Sequence, residues 1–430
     1  MRLSPLDFLF SLERFGMKFG LANMARLIDA LDRPDQSFTS VLIGGTNGKG
    51  SVTVMTETAL RAAGHHVARY TSPHLTRLEE RFVIDGREVD SPALEASAAR
   101  VQDAAEALVA SGALEALPTF FECTTAIAFD LFREARVGLA LLEVGLGGRL
   151  DATNIVSPAA AAIVSIDFDH EAQLGNTLGS IAAEKAGIAR PGIAVVCGKL
   201  PDEAGRTIAA ICARVGARLV RSDLDVAISV DPADPARLTF VTPRLTVERV
   251  RLALEGAHQA SNAAVSLRLL DELDALGFHT SPETVRAGLS DAVWPGRLER
   301  FTMDDCVVLL DAAHNPAGAR ALASYLRGAA PGGATLVFGA MKDKAVSAML
   351  EALAPIAWRT ICTTAPTPRA MEAAAIADLA RPTHARVEVE PDPFAALVRA
   401  CASRPRLVVV AGSIFLLGPL RGRLAHGILR

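Results

Sequence analysis

The segment Gly44–Ser51 has the residue types and spacing of a phosphate-binding turn. It is rich in glycine, an apolar run precedes it, and a helical stretch over Val52–Ala63 follows it. Such a turn points successive backbone N–H groups at phosphate oxygens, and the dipole of the following helix favours negative charge there. Lys49 can then reach the β- and γ-phosphates, and the Ser51 hydroxyl can hold a magnesium ion. The pattern predicts a nucleotide-phosphate site rather than an ordinary strand-to-helix turn.

The glycine spacing departs from the general P-loop pattern. That pattern has four residues between its glycines and places Ser or Thr directly after Lys. Here three residues separate Gly44 from Gly48, and Gly50 stands between Lys49 and Ser51. The departure is informative in itself, because generic ATPases follow the standard spacing.

Polar residues follow the next apolar runs along the chain. Glu143 ends the run Leu139–Glu143, and ligands bind at the carboxyl edge of open α/β sheets, so an acidic residue there suits a magnesium nucleotide. A buried Glu143 without such a partner would be costly. His170, placed at the end of the following run, is a candidate second metal ligand. Taken alone, Lys185 is typical of a solvated helix end favoured by the helix dipole.

The elements that must position these residues alternate along the chain. Short β-rich runs alternate with alanine-rich helical stretches, which is typical of a parallel sheet wrapped by helices. Several runs are continuously apolar, as strands buried on both faces should be. The predicted strands are Ser40–Ile43, Leu139–Glu143, Ala161–Ile166, Ile193–Cys197, Val307–Asp311, Thr335–Phe338, Arg359–Cys362 and Leu407–Val410.

The pattern changes between Leu219 and Leu254. Three short antiparallel strands separated by Pro/Asp turns are predicted there as a small β-lobe, namely Val226–Ser229, Leu238–Val241 and Leu245–Val247. We expect a domain boundary near residue 295, giving one domain over residues 1–294, which contains the glycine-rich turn, and a second domain over 295–430. The predicted fold class is α/β: a P-loop-type, mostly parallel sheet with the β-lobe in the N-terminal domain, followed by a smaller Rossmann-like α/β C-terminal domain.

Composition excludes several classes of protein. A chain of 430 residues predicts about two or three domains. A net charge of −4 and a pI near 6.2 argue against a nucleic-acid or membrane-surface partner. The apolar runs are far shorter than the roughly 20 residues of a membrane-spanning helix. Six scattered cysteines without CxxC pairs, and an N-terminus unlike a signal peptide, predict a cytoplasmic location with reduced thiols.

Two segments carry a resemblance to a known family. Gly-Thr-Asn-Gly-Lys-Gly-Ser within Gly44–Ser51 resembles the nucleotide loop of the Mur ligase superfamily, ATP-dependent enzymes that form amides. Within that superfamily it is most similar to the folylpolyglutamate and dihydrofolate synthases. Residues 142–154, Leu-Glu-Val-Gly-x-Gly-Gly-x-x-Asp-Ala-Thr-Asn, resemble a folate-ligase signature almost letter for letter. The resemblance extends from about Phe8 to Leu417, with the motifs in family order.

The resemblance implies two magnesium ions. The family's Ser-Pro-His-Leu serine lies on a magnesium, which makes Ser72 a ligand, and its Asp-His segment supports His170. The lysine of the family's Glu-Lys-Ala-Gly segment is carbamylated by CO2, which turns a cation into an anion that can bind the second ion. The implied metal ligands are Ser51, Ser72, Glu143, His170 and carbamylated Lys185.

The resemblance also implies a set of nucleotide residues. Asn262, expected as the exposed amide of a helix over His258–Leu276, would contact the adenine or ribose. Arg297 offers the γ-phosphate or an acyl-phosphate a planar fork that lysine cannot match. The family's Asp-x-Ala-His-Asn-Pro segment brings Asp311 to the nucleotide and His314 near the reacting centre. The implied ATP-binding residues are Gly45, Thr46, Asn47, Gly48, Lys49, Gly50, Ser51, Asn262, Arg297 and Asp311, and the implied catalytic residues are Lys49, Lys185 and His314.

Among the residues expected to bind the pterin or folate substrate, Glu122 has two interpretations. Thr119 and Glu122 have the spacing of a helix capping box, which by itself accounts for both residues. The family's Thr-x-Phe-Glu segment lines the pterin pocket, so a direct ligand contact by Glu122 stays open beside the capping role. The implied substrate-binding residues are Gly20, Leu21, Thr119, Phe120, Phe121, Glu122, Leu150, Asp151 and Ala152.

The implied reactions join L-glutamate to dihydropteroate and add further glutamates to reduced folates through an acyl-phosphate made with ATP. One alternative is folylpolyglutamate synthase activity alone, and another is a different Mur-type amino-acid ligase. A Mur cell-wall ligase would normally carry a UDP-binding domain before the loop, and Gly44 leaves no room for one. A simple P-loop switch has no need for Glu143, His170 and Lys185. We expect a monomer that binds small molecules, with neither a nucleic acid nor a membrane as partner.

Overall fold

A computed structural model describes residues 2–15, 20–303 and 306–426. Contacts divide the chain into two compact units. The first comprises residues up to Ile166 together with Asn176–Ala253 and Ser261–Ala292. The second comprises Asp167–Gly175, Leu254–Ala260 and the residues from Val293 onward. The division into contiguous domains at residue 294 stays a prediction.

The described residues form helices and strands that alternate along much of the chain. The helices are α1 (Pro5–Ser11), α2 (Ala22–Ala30), α3 (Lys49–Ala62), α4 (Ser91–Ala110), α5 (Phe120–Glu134), α6 (Glu171–Leu174), α7 (Leu178–Ala186), α8 (Asp202–Val215), α9 (Ser222–Asp225), α10 (Ala257–Asp274), α11 (Pro282–Ser290), α12 (Pro316–Ala329), α13 (Val346–Leu353), α14 (Ala373–Ala380), α15 (Pro393–Ala402) and α16 (Ile414–Ala425). The strands are β1 (Thr39–Gly44), β2 (Val67–Tyr70), β3 (Phe82–Ile84), β4 (Arg87–Glu88), β5 (Leu139–Glu143), β6 (Ala160–Ile163), β7 (Ala194–Cys197), β8 (Arg218–Arg221), β9 (Ala227–Asp231), β10 (Asp234–Val241), β11 (Thr246–Val250), β12 (Glu299–Met303), β13 (Cys306–Leu310), β14 (Ala334–Phe338), β15 (Ala357–Cys362), β16 (Val387–Val389) and β17 (Leu407–Ala411).

The first unit is built on an eight-stranded sheet in the order β4-β3-β2-β5-β1-β6-β7-β8. The strands from β2 to β8 in this order pair in parallel, while β3 and β4 form an antiparallel edge. The central strands β1 and β5 are apolar and buried almost throughout, as strands covered on both faces must be. The same unit carries an antiparallel three-stranded sheet in the order β11-β10-β9, which is the predicted β-lobe.

The second unit has its own six-stranded sheet in the order β12-β13-β17-β14-β15-β16. Only β12 runs antiparallel to its neighbour in this sheet, as paired in the described residues. Leu309, Leu336 and Val409 on neighbouring strands are fully buried and pack against Leu322 of α12 and Leu350 of α13. These sheets confirm the predicted fold class, a mostly parallel α/β unit with a β-lobe followed by a smaller α/β unit.

Several boundaries differ from the predicted ones. The helix after the glycine-rich turn begins at Lys49, not Val52, because Gly48 takes the cap position at φ +84° and lets the helix start there. Strand β6 ends at Ile163, not Ile166, because Ser165 leaves the sheet to bond with the turn. Helix α10 ends at Asp274 rather than Leu276.

All six cysteine side chains are buried and free. In the described ranges no helix is both long and apolar enough to span a bilayer.

Candidate active site

The carboxyl ends of three parallel strands meet at one edge of the first sheet. In the register of β5, β1 and β6, Glu143 pairs with Ile43, and Gly44 pairs with Ile163. The glycine-rich turn therefore leaves β1 between Glu143 on one side and the residues after β6 on the other. This edge of an open α/β sheet is where ligands bind.

The turn is held in shape by Ser165, which the sequence reading did not single out. The backbone N–H of Thr46 donates to the Ser165 carbonyl at 2.8 Å. The backbone N–H of Asn47 donates to the Ser165 hydroxyl at 2.9 Å, and that hydroxyl donates to the Asn47 carbonyl at 2.9 Å. These bonds fix the backbone of the turn before any ligand binds. Only the position of Ser165 after an apolar run could have indicated this role.

Lys49 and Lys185 both donate to one carbonyl of the turn. The Lys49 ammonium lies 3.2 Å from the Gly45 oxygen and 3.4 Å from the Thr46 oxygen. The Lys185 ammonium lies 3.1 Å from the same Gly45 oxygen and is buried, with 5% of the residue exposed. Lys185 lies in the last turn of α7, and the side chain of Thr177 caps the start of that helix. Lys185 therefore contacts the glycine-rich turn and is not a solvated helix end.

Glu143 and Ser72 also meet at this edge. Glu143 is 5% exposed, and its Oε2 accepts a hydrogen bond from the Ser72 backbone N–H at 3.3 Å. Ser51 lies in the first turn of α3 and is 3% exposed. Hydroxyl and carboxylate oxygens are the ligands that magnesium prefers, so these three residues fit such an ion.

The predicted metal set is not a cluster of acids and histidines. Within the described ranges, no three His, Cys, Asp or Glu side chains lie together in a way that could hold a metal. The predicted set depends instead on the hydroxyls of Ser51 and Ser72 and on the predicted carbamylation of Lys185. His170 groups with the second unit, and it lies seven residues after the end of β6 rather than at the strand end as expected.

The signature segment forms a loop that its own Asp151 stabilises. Asp151 accepts from the Leu146 N–H at 2.8 Å, from the Thr153 N–H at 3.0 Å and from the Thr153 hydroxyl at 2.6 Å. Burial raises the pKa of Asp151, and these hydrogen bonds oppose the rise. Ala152 is buried beside it, while Leu150 is half-buried. Asp151 thus has a structural role here, and its contact with a substrate stays a prediction.

The capping box predicted at Thr119 and Glu122 is confirmed. Glu122 Oε2 accepts from the Thr119 N–H at 2.7 Å and from its hydroxyl at 2.9 Å, and the Thr119 hydroxyl accepts from the Glu122 N–H at 3.2 Å. The other oxygen, Oε1, is buried and has no hydrogen-bond partner among the described residues. Capping therefore accounts for one oxygen of Glu122 and leaves the second to be explained.

The two phenylalanines beside Glu122 have different neighbours. The Phe121 ring lies 6.1 Å from the buried ring of Tyr70. Phe120 stacks on Phe10 at 6.1 Å, and the Arg81 guanidinium lies 5.2 Å from the Phe120 ring centroid. Arg81 and Phe10 were not among the residues predicted from the sequence. Of the other predicted substrate residues, Gly20 has φ +133° and Leu21 caps α2.

The prediction that Asn262 is exposed was wrong. Asn262 lies in α10 and is only 7% exposed. A Cβ atom at Gly48 would lie 2.5 Å from Asn262 Oδ1, so the amide packs directly on the glycine of the turn. The helix presents this amide to the phosphate turn, which leaves Gly48 no room for a side chain.

In the second unit, Asp169 joins the segment 167–175 to the C-terminal residues. Asp169 Oδ1 accepts from the Lys344 ammonium at 2.5 Å and from the His170 N–H at 2.9 Å. Asp169 Oδ2 accepts from the Asn315 amide at 3.0 Å. His170 has φ +52°, and its Nε2 lies 3.3 Å from the Lys344 ammonium. His170 was predicted from the sequence, whereas Asp169 and Lys344, which hold its segment in place, were not.

His314 lies close to the carboxylate of Asp169. Its Nδ1 lies 2.9 Å from the Ala312 carbonyl, which can only accept, so Nδ1 carries the proton and Nε2 carries the lone pair of the neutral ring. Nε2 lies 3.7 Å from Asp169 Oδ2. Burial lowers the pKa of His314 to about 4, and the nearby Lys344 contributes. The ring is therefore neutral near pH 7.

Asp311 holds the turn that carries Arg297. Asp311 Oδ2 accepts from the Leu298 N–H at 3.1 Å, and Oδ1 accepts from the Ala313 N–H at 3.0 Å. Burial raises the pKa of Asp311, and Arg297 opposes the rise. Asp311 thus positions the residue after Arg297. Its predicted contact with the nucleotide is not tested by these bonds.

Known proteins are similar to this chain in sequence and in fold. Residues 296–414 match the family described as Mur ligase, glutamate ligase domain. A dihydrofolate synthase/folylpolyglutamate synthase of Bacillus subtilis is 33% identical over 416 residues, which cover 96% of each chain. The folylpolyglutamate synthase of Mycobacterium tuberculosis complexed with ADP has a TM-score of 0.89 and 30% identity, covering 98% of both chains. Escherichia coli FolC in complex with DHPP and ADP has a TM-score of 0.87 and 29% identity, covering 99% of both.

A glycine-rich turn at the edge of a parallel sheet, followed by a Mur-type glutamate ligase domain, defines an ATP-dependent ligase that joins a carboxylate to an amine. The similarity to the Bacillus subtilis protein extends over nearly the whole of both chains. The chain belongs to the dihydrofolate synthase/folylpolyglutamate synthase family.

Proposed function

We propose that the protein joins L-glutamate to dihydropteroate, forming dihydrofolate, and adds further glutamates to reduced folates. The observation that carries the proposal is the glycine-rich turn, which leaves β1 beside Glu143 and whose Gly45 carbonyl accepts hydrogen bonds from both Lys49 and Lys185. The signature loop with Asp151 belongs to the same unit as that turn. Family members named for both synthase activities support the choice of substrates.

The chemistry activates a carboxylate that does not react with an amine by itself. A carboxylate oxygen bonds to the γ-phosphorus of ATP as the bond to ADP breaks, which gives an acyl-phosphate. The amine nitrogen of glutamate then attacks the acyl carbon and loses a proton, and phosphate leaves with the bonding electron pair. Phosphoryl transfer needs positioning and charge neutralisation more than covalent help from the protein.

The residues of this chain divide that task. Lys49 and the backbone of the turn hold the phosphates, and Arg297 offers two parallel donors to the transferred group. His314 presents the Nε2 lone pair of a neutral ring, which can accept a hydrogen bond from the incoming amine and orient it. Magnesium, when bound to Ser51, Ser72 and Glu143, would neutralise phosphate charge.

The turnover test separates the two activities. The purified chain, ATP and L-glutamate are mixed with dihydropteroate or with tetrahydrofolate, and ADP release is measured for each. We expect ADP release with both, Lys49→Ala inactive, and Lys199→Ala, which replaces an exposed lysine, unchanged. Release with tetrahydrofolate alone would support the alternative of a folylpolyglutamate synthase only. Release with neither would overturn the proposal.

We further propose two magnesium ions, with Lys185 carbamylated by CO2 and His170 as an additional ligand. Carbamylation would replace the buried positive charge of Lys185, near Lys49, with a negatively charged carbamate whose oxygens can bind magnesium. The expected result is a carbamate carbon signal in NMR spectra of enzyme equilibrated with 13C-bicarbonate, absent in Lys185→Ala. That variant should be inactive and partly rescued by acetate, and full activity without acetate would contradict the modification. A monomeric, cytoplasmic protein without nucleic-acid or membrane partners is also proposed.

A further inference from the structure

The signature loop and the end of α7 lie backbone against backbone. A Cβ atom at Gly148 would lie 2.7 Å from the Lys185 carbonyl oxygen and 2.9 Å from that of Glu184. A Cβ atom at Gly187 would lie 2.3 Å from the Arg149 side chain. The Arg149 N–H donates to the Glu184 carbonyl at 2.9 Å. The two segments therefore meet at van der Waals distance, and glycine is the residue type that this approach permits.

Asn154 joins the same two segments through its side chain. It is 3% exposed, and its Nδ2 donates to the Arg149 carbonyl and to the Gly187 carbonyl, each at 3.1 Å. One amide group thus bonds to the loop that leads to Leu150–Ala152 and to the backbone two residues after Lys185. Both N–H donors of the amide are used in this way.

Arg190 orients that amide. Its guanidinium donates to Asn154 Oδ1 at 2.8 Å and to the Asn154 carbonyl at 3.1 Å. It also donates to the Gly187 carbonyl at 3.0 Å and to the Ala189 carbonyl at 3.1 Å. Because Oδ1 accepts from arginine, Nδ2 must face the two carbonyls, which fixes the orientation of the amide. Asn154 and Arg190, called here the amide bridge, form one connected network.

We propose that the amide bridge is a positioning device that sets the predicted substrate residues Leu150–Ala152 and the predicted phosphate-side residue Lys185 relative to each other. The inference rests on the proposed function, since it takes those two groups as parts of one site. Neither bridge residue needs to touch a ligand. A shift of about 1 Å in a positioning segment can lower the rate about a hundredfold. Loss of the bridge should therefore weaken the enzyme's use of ATP and of the pteroate or folate substrate together.

Asn154→Asp tests the bridge without changing its size. The aspartate keeps the acceptor for Arg190 but turns an oxygen toward the two carbonyls, which removes both donors and adds repulsion. We expect KM for ATP and KM for the pteroate or folate substrate each to rise about tenfold or more, and kcat to fall. Arg190→Lys, which keeps the charge but lacks the planar fork, should show the same pattern more weakly.

Arg149→Ala is the matched control. It removes the ion pair at 2.7 Å between the exposed Arg149 and the partly exposed Glu184, which joins the same two segments at the surface. Such surface pairs contribute about 0–1 kcal/mol, so both KM values should stay within about twofold of wild type. A purely structural role would lower the folded fraction without changing either KM of the folded enzyme. Unchanged KM values in both bridge variants, or a change confined to one substrate, would overturn the proposal.

A second measurement keeps the inference separate from the proposed function. Hydrogen exchange of the wild-type chain and of Asn154→Asp is followed at the amides of residues 146–153 and 185–189. We expect faster exchange in both segments together, with Arg149→Ala like wild type. If wild type turns over neither folate substrate, the proposed function fails. The bridge is then decided by this exchange and by the Kd for magnesium-ATP, and an unchanged exchange rate in either segment would overturn it.

Discussion

Lys344 and Asp169 form a buried ion pair whose disruption should be measurable. Both side chains are 8% exposed, and the ammonium lies 2.5 Å from Oδ1. Removing one partner of a buried pair costs about 3–5 kcal/mol, because the other charge stays buried without compensation. Asp169 would keep the bonds from Asn315 and from the His170 N–H, so we expect Lys344→Met to cost about 3 kcal/mol.

Thermal denaturation checks this value. In domains of about 150–250 residues, 1 kcal/mol changes Tm by about 2–4 °C, so the transition of the second unit should fall by about 6–12 °C. Lys344→Met combined with Asp169→Asn leaves no buried charge, and most of the loss should be recovered. The control Arg320→Met breaks the exposed pair with Asp167 at 2.9 Å and should lower Tm by at most about 2–4 °C.

The pH dependence gives a further check on the same pair. Burial alone would raise the pKa of Asp169, but Lys344, His170 and His314 outweigh burial and hold this pKa well below its usual range. A carboxyl with a lowered pKa in the folded state stabilises the fold above its unfolded pKa of about 3.9 and loses that contribution as the pH falls below it. The Tm difference between wild type and Lys344→Met should therefore shrink below about pH 4. The reasoning is refuted if Lys344→Met behaves like Arg320→Met, or if the double variant is no more stable than the single one.

Three other predictions concern the first unit. Gly48→Ala should raise the Kd for magnesium-ATP about tenfold or more, because Gly48 has φ +84° and an added Cβ would lie 2.5 Å from Asn262 Oδ1. Titration calorimetry measures this Kd, and Gly205→Ala, whose added Cβ would meet open space, is the control. Glu122→Gln keeps an acceptor for the Thr119 cap but replaces the second carboxylate oxygen, Oε1, with an amide nitrogen. The KM for dihydropteroate should therefore rise about tenfold, while the KM for ATP and the Tm stay unchanged. An unchanged KM for dihydropteroate would limit Glu122 to capping. Burial and Arg81 lower the pKa of His74 to about 4, and His74 Nδ1 accepts a hydrogen bond from Arg81 at 2.9 Å. Because the unfolded histidine takes up a proton near pH 6.5, Tm should decline as the pH falls from about 6.5 toward about 4. The decline should be less steep in His74→Gln, and equal slopes would contradict this.

Much of the fold and part of the candidate site could be predicted from local features of the sequence. The continuous apolar runs predicted β1 and β5, and the spacing of Thr119 and Glu122 predicted the start of α5. The position of Glu143 at a strand end predicted its place beside the phosphate turn. These features succeed because strands, caps and turns are determined by neighbours in the chain.

The remaining parts of the site depend on contacts between distant residues. Ser165 bonds to Asn47 across 118 positions, and Lys344 bonds to Asp169 across 175. Serine and lysine are common surface residues, so neither type nor local spacing marks these two. Asn262 was expected on the exposed face of its helix, and only the packing of α10 against Gly48 explains its burial.

The burial of every native cysteine makes the chain suited to site-specific fluorophore labelling. Burial raises the pKa of Cys362 to about 12 and raises those of Cys123 and Cys197 as well, so these thiols react slowly with maleimides at neutral pH. A cysteine introduced at exposed Lys199 in the first unit and another at exposed Glu351 in the second would react preferentially. Resonance energy transfer between two dyes at these positions would then measure the distance between one site in each unit, without removing any native cysteine.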